Sequence, residues 1–161
     1  MRSFAGILFA GIAILIGPAS GQAATTVSFQ GAGEQQVLML LNQIRAQHGL
    51  TPFTVSAPLR SAARAHSADM LERDYFDHDS PTESWEARIS RYLRSPLIGE
   101  DIAWGLGSRG TPAGLVSQWM HSPVHRAIIL TAGLHRIGLG LALGTFGSAP
   151  GAVMATADFA A

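Results

Sequence analysis

The chain has 161 residues, of which 47% are hydrophobic and 14% charged, and its formal net charge is zero. This is the composition of one ordinary globular domain. It contains no cysteine, which excludes a disulfide framework, a thiolate metal site and lipid attachment through a cysteine. All its basic residues are arginines and they form no basic run, so we expect no nucleic-acid partner.

The N-terminal segment has the three parts of a secretory signal peptide. Arg2 gives the positive start, residues 4–16 form an apolar run interrupted only by glycine, and Gly21-Gln22-Ala23 is a small-x-small cleavage site. We therefore predict a signal peptide over residues 1–23, cleaved after Ala23, and a secreted or periplasmic protein with no transmembrane segment in the mature chain. The alternative is a retained N-terminal anchor, although the run is shorter than a bilayer span.

Residues 24–33 are small and polar and are predicted to form a flexible arm. Apolar residues at helical spacing then predict a helix over 34–47, which His48 and Gly49 end. Residues 52–56 are predicted to be extended, and a second helix is predicted over 57–73. His66 lies on its apolar face, where a buried, hydrogen-bonded histidine is more common than a ligand.

The middle of the chain carries the first residues suited to chemistry. Residues 74–79 are predicted to form a loop with His78 in it. Ser80 and Glu83 fit a capping box that would begin the next helix. The run 98–104 is predicted to be a buried strand containing Glu100.

The stretch WMHSPVHRAIIL, residues 119–130, has two histidines four residues apart. On one helix this spacing would resemble half of a zinc site. Pro123 lies between them, however, and Ser122-Pro123 is typical of a helix start. We therefore predict that His121 ends one helix, begun at Thr111, and that His125 lies in the first turn of another.

The last part of the chain is predicted to be a hairpin. HRIGLGLAL (135–143) and AVMATADF (152–159) are typical of strands, and residues 144–151 are predicted to join them. Helices on both sides of a few strands define an α+β fold or a three-layer α-β-α sandwich with a small central antiparallel sheet. One domain is predicted over 34–160.

Glu100 lies in an apolar run that ends at Trp104. A buried carboxylate requires a partner, because an unpaired charge in the interior is costly. A histidine is a natural partner for it, and His78 and His125 are candidates.

Six stretches of the sequence, in order, resemble the CAP superfamily, the cysteine-rich secretory, antigen 5 and pathogenesis-related 1 proteins. The resemblance is greatest to the bacterial SCP-like extracellular branch. It implies the α-β-α sandwich. The stretches are LLNQIRAQHGL (40–50), AARAHSADM (62–70), YFDHDSP (75–81), GEDIAW (99–104), WMHSPVHRAIIL (119–130) and IGLGLAL (137–143).

The resemblance also implies a cleft with two histidines and two glutamates. His78, Glu100 and His125 match three of these four positions, and Ser122 stands where many eukaryotic members have the second glutamate. Asp101 and Val124 replace a usual asparagine and a usual glycine. These departures make a four-residue mechanism doubtful.

Three functions are compatible with this sequence. The first is a non-catalytic binding or interaction module, since family members are associated with lipids and partner proteins. Its ligand would be a small molecule, a lipid or an extracellular protein, and His78 and His125 would be able to hold Zn²⁺ or another divalent cation. The second is a metal-dependent hydrolase using His78, Glu100 and His125. The third is a purely structural polar network. A serine hydrolase using Ser80 or Ser122 is disfavoured because both serines fit helix caps.

Overall fold

The structure is a computed structural model that describes residues 26–161. The predicted signal peptide and the first residues of the predicted arm lie outside this range. The described chain forms one five-stranded sheet with helices on both faces. This confirms the predicted α-β-α sandwich.

The sheet is built around one long hairpin. Its strands are β1 (Ser28–Phe29), β2 (Thr54–Val55), β3 (Ile98–Gly105), β4 (Arg136–Phe146) and β5 (Ala149–Ala160). The order β1-β4-β5-β3 is antiparallel throughout, and β2 pairs in parallel with the start of β4. Strand β5 is therefore central, and its residues 152–160 are all buried, including the polar Thr156 and Asp158.

The helices form the two outer layers. They are α1 (Gly31–Gln47), α2 (Ala57–Glu72), α3 (Trp85–Tyr92), α4 (Pro112–His121) and α5 (Pro123–Ile129), with a short 3₁₀ turn at Gly107–Gly110. Helices α1, α4 and α5 share the larger apolar core with one face of the sheet, while α2 and α3 cover the other face.

Helix α2 packs on glycines of β4. A Cβ atom at Gly138 would lie 2.0 Å from the backbone of Leu59, and one at Gly140 would lie 2.4 Å from the backbone of Ala63. Such distances are far below a normal contact, so the absence of side chains at these two positions allows the helix to lie directly on the strand.

Three predicted boundaries differ from the structure. Ser28 and Phe29 pair with β4 and α1 begins at Gly31, so the predicted arm contains a strand from its fifth residue and then the first turn of the helix. The predicted capping box is wrong: Ser80 and Glu83 close a turn on each other. Helix α3 begins later, and Ser84 is its cap.

The terminal hairpin is tighter than predicted. Only two residues, Gly147 and Ser148, separate β4 from β5. Gly147 has φ of 57°, which suits glycine in a tight turn. Gly144, Pro150 and Gly151, which indicated a longer loop, lie within the strands, where there is a bulge at Gly144/Thr145.

Candidate functional site

His78 and Glu100 form the centre of the candidate site, as predicted. His78 lies in the loop before α3, and its Nδ1 is 2.8 Å from Oε1 of Glu100 on β3. The His78 side chain is 42% exposed, whereas that of Glu100 is 1% exposed. The histidine therefore connects a buried carboxylate with solvent.

Arg88 is the second partner of Glu100, and the sequence analysis missed it. Its Nη2 pairs with Oε2 of Glu100, and its Nη1 donates to the backbone oxygen of His78 at 3.0 Å. Arg88 lies on α3, one residue before the buried Ile89. The requirement of a buried carboxylate for a cation was the signal that could have identified it.

Asp158 is a third acidic group beside the pair. It lies opposite Glu100 in the β3–β5 register and is fully buried. Burial, and then the negative charge of Glu100, raise the pKa of Asp158 well above its ordinary value. The Asp158 carboxyl is therefore held in its protonated form beside the ionised Glu100, and neither of its oxygens has a hydrogen-bond partner among residues 26–161.

These contacts determine the charges at the site. Burial alone would raise the pKa of Glu100, but the hydrogen bond from His78 and the charge of Arg88 hold it below its ordinary value. The hydrogen bond to Glu100 raises the pKa of His78 against the opposing effect of burial. Glu100 is thus an ionised carboxylate with both oxygens occupied by donors.

The loop that carries His78 is fixed by a separate histidine. His66, buried on α2, has its Nε2 3.0 Å from the backbone oxygen of Asp77. Tyr75 donates its hydroxyl to Asp69 at 2.7 Å and lies 3.4 Å from the other nitrogen of His66. His66 is therefore a satisfied structural residue, as predicted, and it positions the neighbouring site histidine.

His125 is close enough to the His78–Glu100 pair for the charge of His78 to affect it, but it is not hydrogen-bonded to the pair. It occupies the first turn of α5, and the structure has no hydrogen bond between its side chain and Glu100. Burial, and then the positive charge of His78, lower the pKa of His125. Its Nδ1 is buried without a hydrogen-bond partner among residues 26–161.

His125 lines a large open cleft between β3, the turn after it and helices α4 and α5. The cleft has a volume of about 670 Å³. Most of its walls are apolar, and its prominent side chains are Phe76, Trp104, Leu106, Trp119, His121 and His125. His78 and Glu100 line a second recess of about 350 Å³.

The cleft walls are fixed by two tryptophans. Trp119 is fully buried and donates its indole N–H to the backbone oxygen of Ile102 at 3.1 Å. Trp104 packs edge-on against Phe146, with ring centroids 4.9 Å apart. Trp119 is therefore a core residue, whereas Trp104 contributes to the cleft surface.

Arg45 is a further residue that the sequence analysis missed. It is fully buried at the end of α1. Its guanidinium donates to the backbone oxygens of Ile129 at 2.7 Å, Thr131 at 3.1 Å and Leu134 at 3.0 Å. The first of these bonds satisfies the last carbonyl of α5, which carries His125, and the other two hold the segment that follows it. Arg45 therefore positions that helix.

The remaining histidines and Ser122 are exposed residues or helix ends. His121 is exposed at the end of α4, with its Nδ1 2.8 Å from the Ser117 backbone oxygen. Ser122 is the N-cap residue of α5, and Pro123 is the first helical residue, as predicted. His135 is exposed before β4. Within residues 26–161 no three histidine or acidic side chains are grouped to hold a metal ion.

The three-layer α-β-α sandwich with a cleft bordered by histidines defines the structural class of the protein. Residues 38–159 match the model of CAP, described as the cysteine-rich secretory protein family. The match covers most of the chain, which therefore belongs to this family.

Two curated proteins of Bacillus subtilis (strain 168) are similar to the chain. The uncharacterized protein YkwD is 38% identical over 111 residues, covering 68% of the chain and 42% of YkwD. The uncharacterized membrane protein YlbC is 33% identical over 114 residues, covering 70% of the chain and 32% of YlbC. The matched part of the chain thus spans less than half of each relative.

Solved structures agree with the fold. An extracellular protein of Bacillus anthracis that contains an SCP domain has a TM-score of 0.70 and 27% identity, over 81% of this chain and 41% of that one. An outer surface protein of Borrelia burgdorferi has a TM-score of 0.73 and 17% identity, over 84% and 96%. At that identity the second likeness concerns the fold alone.

The membrane prediction is tested only within the described part of the chain. None of the helices between residues 26 and 161 combines the length and the apolar character needed to span a bilayer.

Proposed function

We propose that the protein is a secreted, non-catalytic binding module whose ligand occupies the cleft beside His125. The observation that supports this most is the nature of that cleft. It offers about 670 Å³ of mostly apolar space with two tryptophans and two histidines in its walls. A concave apolar surface with few polar groups is typical of a ligand site. An apolar small molecule or lipid fits it best.

The state of Glu100 supports binding over catalysis. A general base requires a free lone pair within reach of a water molecule. Both oxygens of Glu100 are already bonded, to His78 and to Arg88, and its side chain is 1% exposed. The hydrolase that would use His78, Glu100 and His125 is therefore the weaker alternative.

A purely structural role accounts for part of the site. Glu100 and Arg88 form a buried ion pair, and Asp158 is buried beside it. The His78 side chain is 42% exposed, however, and His125 lines a large cleft. These two imidazoles extend the site beyond the buried pair.

The two histidines have the chemistry of weak divalent-metal ligands. Nδ1 of His78 is engaged by Glu100, which leaves Nε2 as the ligand atom in the carboxylate–histidine–metal arrangement common in proteins. Burial favours the neutral, metal-binding form of His125. Two imidazoles without a third protein ligand would bind Zn²⁺ weakly, and more weakly as the pH falls.

A fluorescence titration with a dansyl-labelled fatty acid tests the binding function. Energy transfer from Trp104 should show saturable binding by wild type. Leu106→Glu, at the cleft rim, should reduce the affinity at least about tenfold, because it places a charge against the apolar ligand. Met39→Glu, which also places a charge at an exposed apolar residue but on α1, is the control. Equal affinities in the two variants would place the ligand elsewhere.

A separate calorimetric titration with Zn²⁺ tests the metal hypothesis. Wild type should bind one ion, and a His78→Ala, His125→Ala double variant should not. If both proteins give the same heats, the two histidines hold no metal.

A further inference from the structure

The outer edge of β4 has a gap. Strand β2 pairs with Arg136 and Ile137 at one end of this edge, and β1 pairs with Ala142 and Leu143 at the other. Residues 138–141 lie between them without a paired strand on that side. The gap is at one edge of the sheet, and β3, which lines the cleft, forms the opposite edge.

The backbone groups of Leu139 point into this gap. The backbone oxygen of Ile137 accepts from Ser56 N at 2.8 Å, and that of Leu141 accepts from Gln30 N at 2.9 Å. Since outward groups alternate along a strand, the N–H and C=O of Leu139 face the same edge. Within residues 26–161 no turn, loop or side chain supplies them with a hydrogen bond.

A small cavity is located at this gap. It has a volume of about 140 Å³ and is enclosed by α1, α2 and the strand edge. Its apolar walls are Leu38, Val55, Ile137 and Leu139. An apolar cavity of about 150 Å³ accepts a molecule the size of benzene, so this one has room for a branched aliphatic side chain.

Two arginines one helical turn apart give the cavity a positive charge. Arg64 is bonded to Glu34 through Nε at 2.8 Å and Nη2 at 2.7 Å, and Glu34 also accepts from Leu141 N at 3.3 Å. Arg60 makes no side-chain hydrogen bond or ion pair with the described part of the chain, although it lines the same cavity. The pair Arg64–Glu34 is neutral, so Arg60 leaves one net positive charge.

We propose that this gap binds the C-terminal residue of a peptide with an aliphatic side chain. The residue's amide N–H would donate to the Leu139 oxygen, and its carboxylate would accept from the Leu139 N–H and from Arg60. Its side chain would fill the cavity. The two bonds to Leu139 are those of one hydrogen-bonded residue pair in an antiparallel sheet. The bond from Arg60 to the carboxylate is an additional, charge-assisted hydrogen bond.

The test is an NMR titration of the ¹⁵N-labelled purified protein with N-acetyl-L-leucine, N-acetyl-L-leucinamide and the peptide acetyl-Ala-Ala-Leu. We expect the acid and the peptide to shift the amide signals of Gly31, Val55 and Leu139. The leucinamide, which lacks the carboxylate, should bind at least about tenfold more weakly, as expected for loss of a charge-assisted hydrogen bond.

Two variants assign the site. Arg60→Gln should weaken binding of the acid at least about tenfold. Arg94→Gln removes another exposed arginine, which follows α3 and does not line the cavity, and should leave binding of the acid unchanged. Equal binding of acid and amide, shifts centred on Trp104 in the cleft, or an absence of shifts would overturn the proposal. Binding of N-acetyl-L-leucine without binding of the peptide would exclude a peptide as the ligand.

Discussion

Arg88 and Glu100 form an ion pair in which both side chains are buried, 4% and 1% exposed respectively. The pair joins α3 to β3, and the same arginine also holds the backbone of His78. One guanidinium therefore maintains the carboxylate and the loop on which the exposed histidine depends.

Substitution of Arg88 should strongly destabilise the folded protein. Arg88→Met leaves Glu100 without its buried cation, and we expect the free energy of unfolding to fall by about 3–5 kcal/mol. Urea denaturation followed by circular dichroism measures this. Arg91→Met is the matched control on the same helix, because Arg91 pairs with Glu83 at the surface, and it should cost less than about 1 kcal/mol. Similar losses in both variants would contradict a special role for the buried pair.

The proton affinity of His78 should depend on Glu100. In Glu100→Gln the raised pKa of His78 should fall, because the hydrogen bond to a charged carboxylate is its main cause. Proton NMR of the imidazole signals measures the change, with Glu83→Gln as control. In wild type the stabilisation from protonated His78 is fully present below pH 6.5 and is lost as the pH rises through its folded-state pKa. An unchanged His78 pKa in Glu100→Gln would show that the bond is absent in solution.

Asp101 should make the protein less stable as the pH rises. Its carboxyl is fully buried, and neither oxygen has a hydrogen-bond partner among residues 26–161. Burial, with the charge of Glu100, raises the pKa of Asp101 to about 8. Between its ordinary value of 3.8 and about 8, the unfolded chain holds fewer protons than the folded one, so this residue lowers the free energy of unfolding with rising pH.

The substitution Asp101→Asn isolates this effect. The free energy of unfolding of the variant should lose that part of its pH dependence. At pH 8 it should exceed that of wild type by at least about 1 kcal/mol, since each pKa unit corresponds to about 1.4 kcal/mol. Denaturation midpoints measured across the pH range provide the comparison. Parallel curves for the two proteins would indicate that Asp101 is hydrated.

The contact of α2 with β4 should not tolerate a methyl group. Gly138→Ala would place Cβ 2.0 Å from backbone atoms of Leu59, which cannot move without displacing the helix. We expect a loss of at least about 1–3 kcal/mol in stability. Thermal unfolding measures it, with Gly31→Ala as control, because a Cβ there meets only Arg64 at 3.8 Å. If Gly138→Ala were as stable as the control, the helix would have to lie farther from the strand.

Local sequence patterns predicted most of the fold. Apolar spacing identified α1 and α2, and Pro123 correctly separated α4 from α5. The pairing of His78 with Glu100 was also expected. The capping box was wrong because Ser80 and Ser84 are both followed by residues able to begin a helix, and only packing of α3 decides between them.

The rest of the site depends on contacts between distant parts of the chain. Arg88 is twelve residues from Glu100, and its helix shows no local sign of a buried charge. Asp158 meets Glu100 only through the β3–β5 register. The position of His125 depends on the placement of α5, which Arg45 fixes through a bond to Ile129, 84 residues away.

Gly138 also has an electrostatic consequence. It lies opposite Asp158 in the β4–β5 register, so the two residues share the face of the sheet that α2 covers. Because Gly138 has no side chain, the helix comes close enough to exclude water from the Asp158 carboxyl. The lack of a side chain at Gly138 thus helps to keep Asp158, on the neighbouring strand, buried and protonated. The protonation of this acid therefore depends on how closely α2 packs against β4.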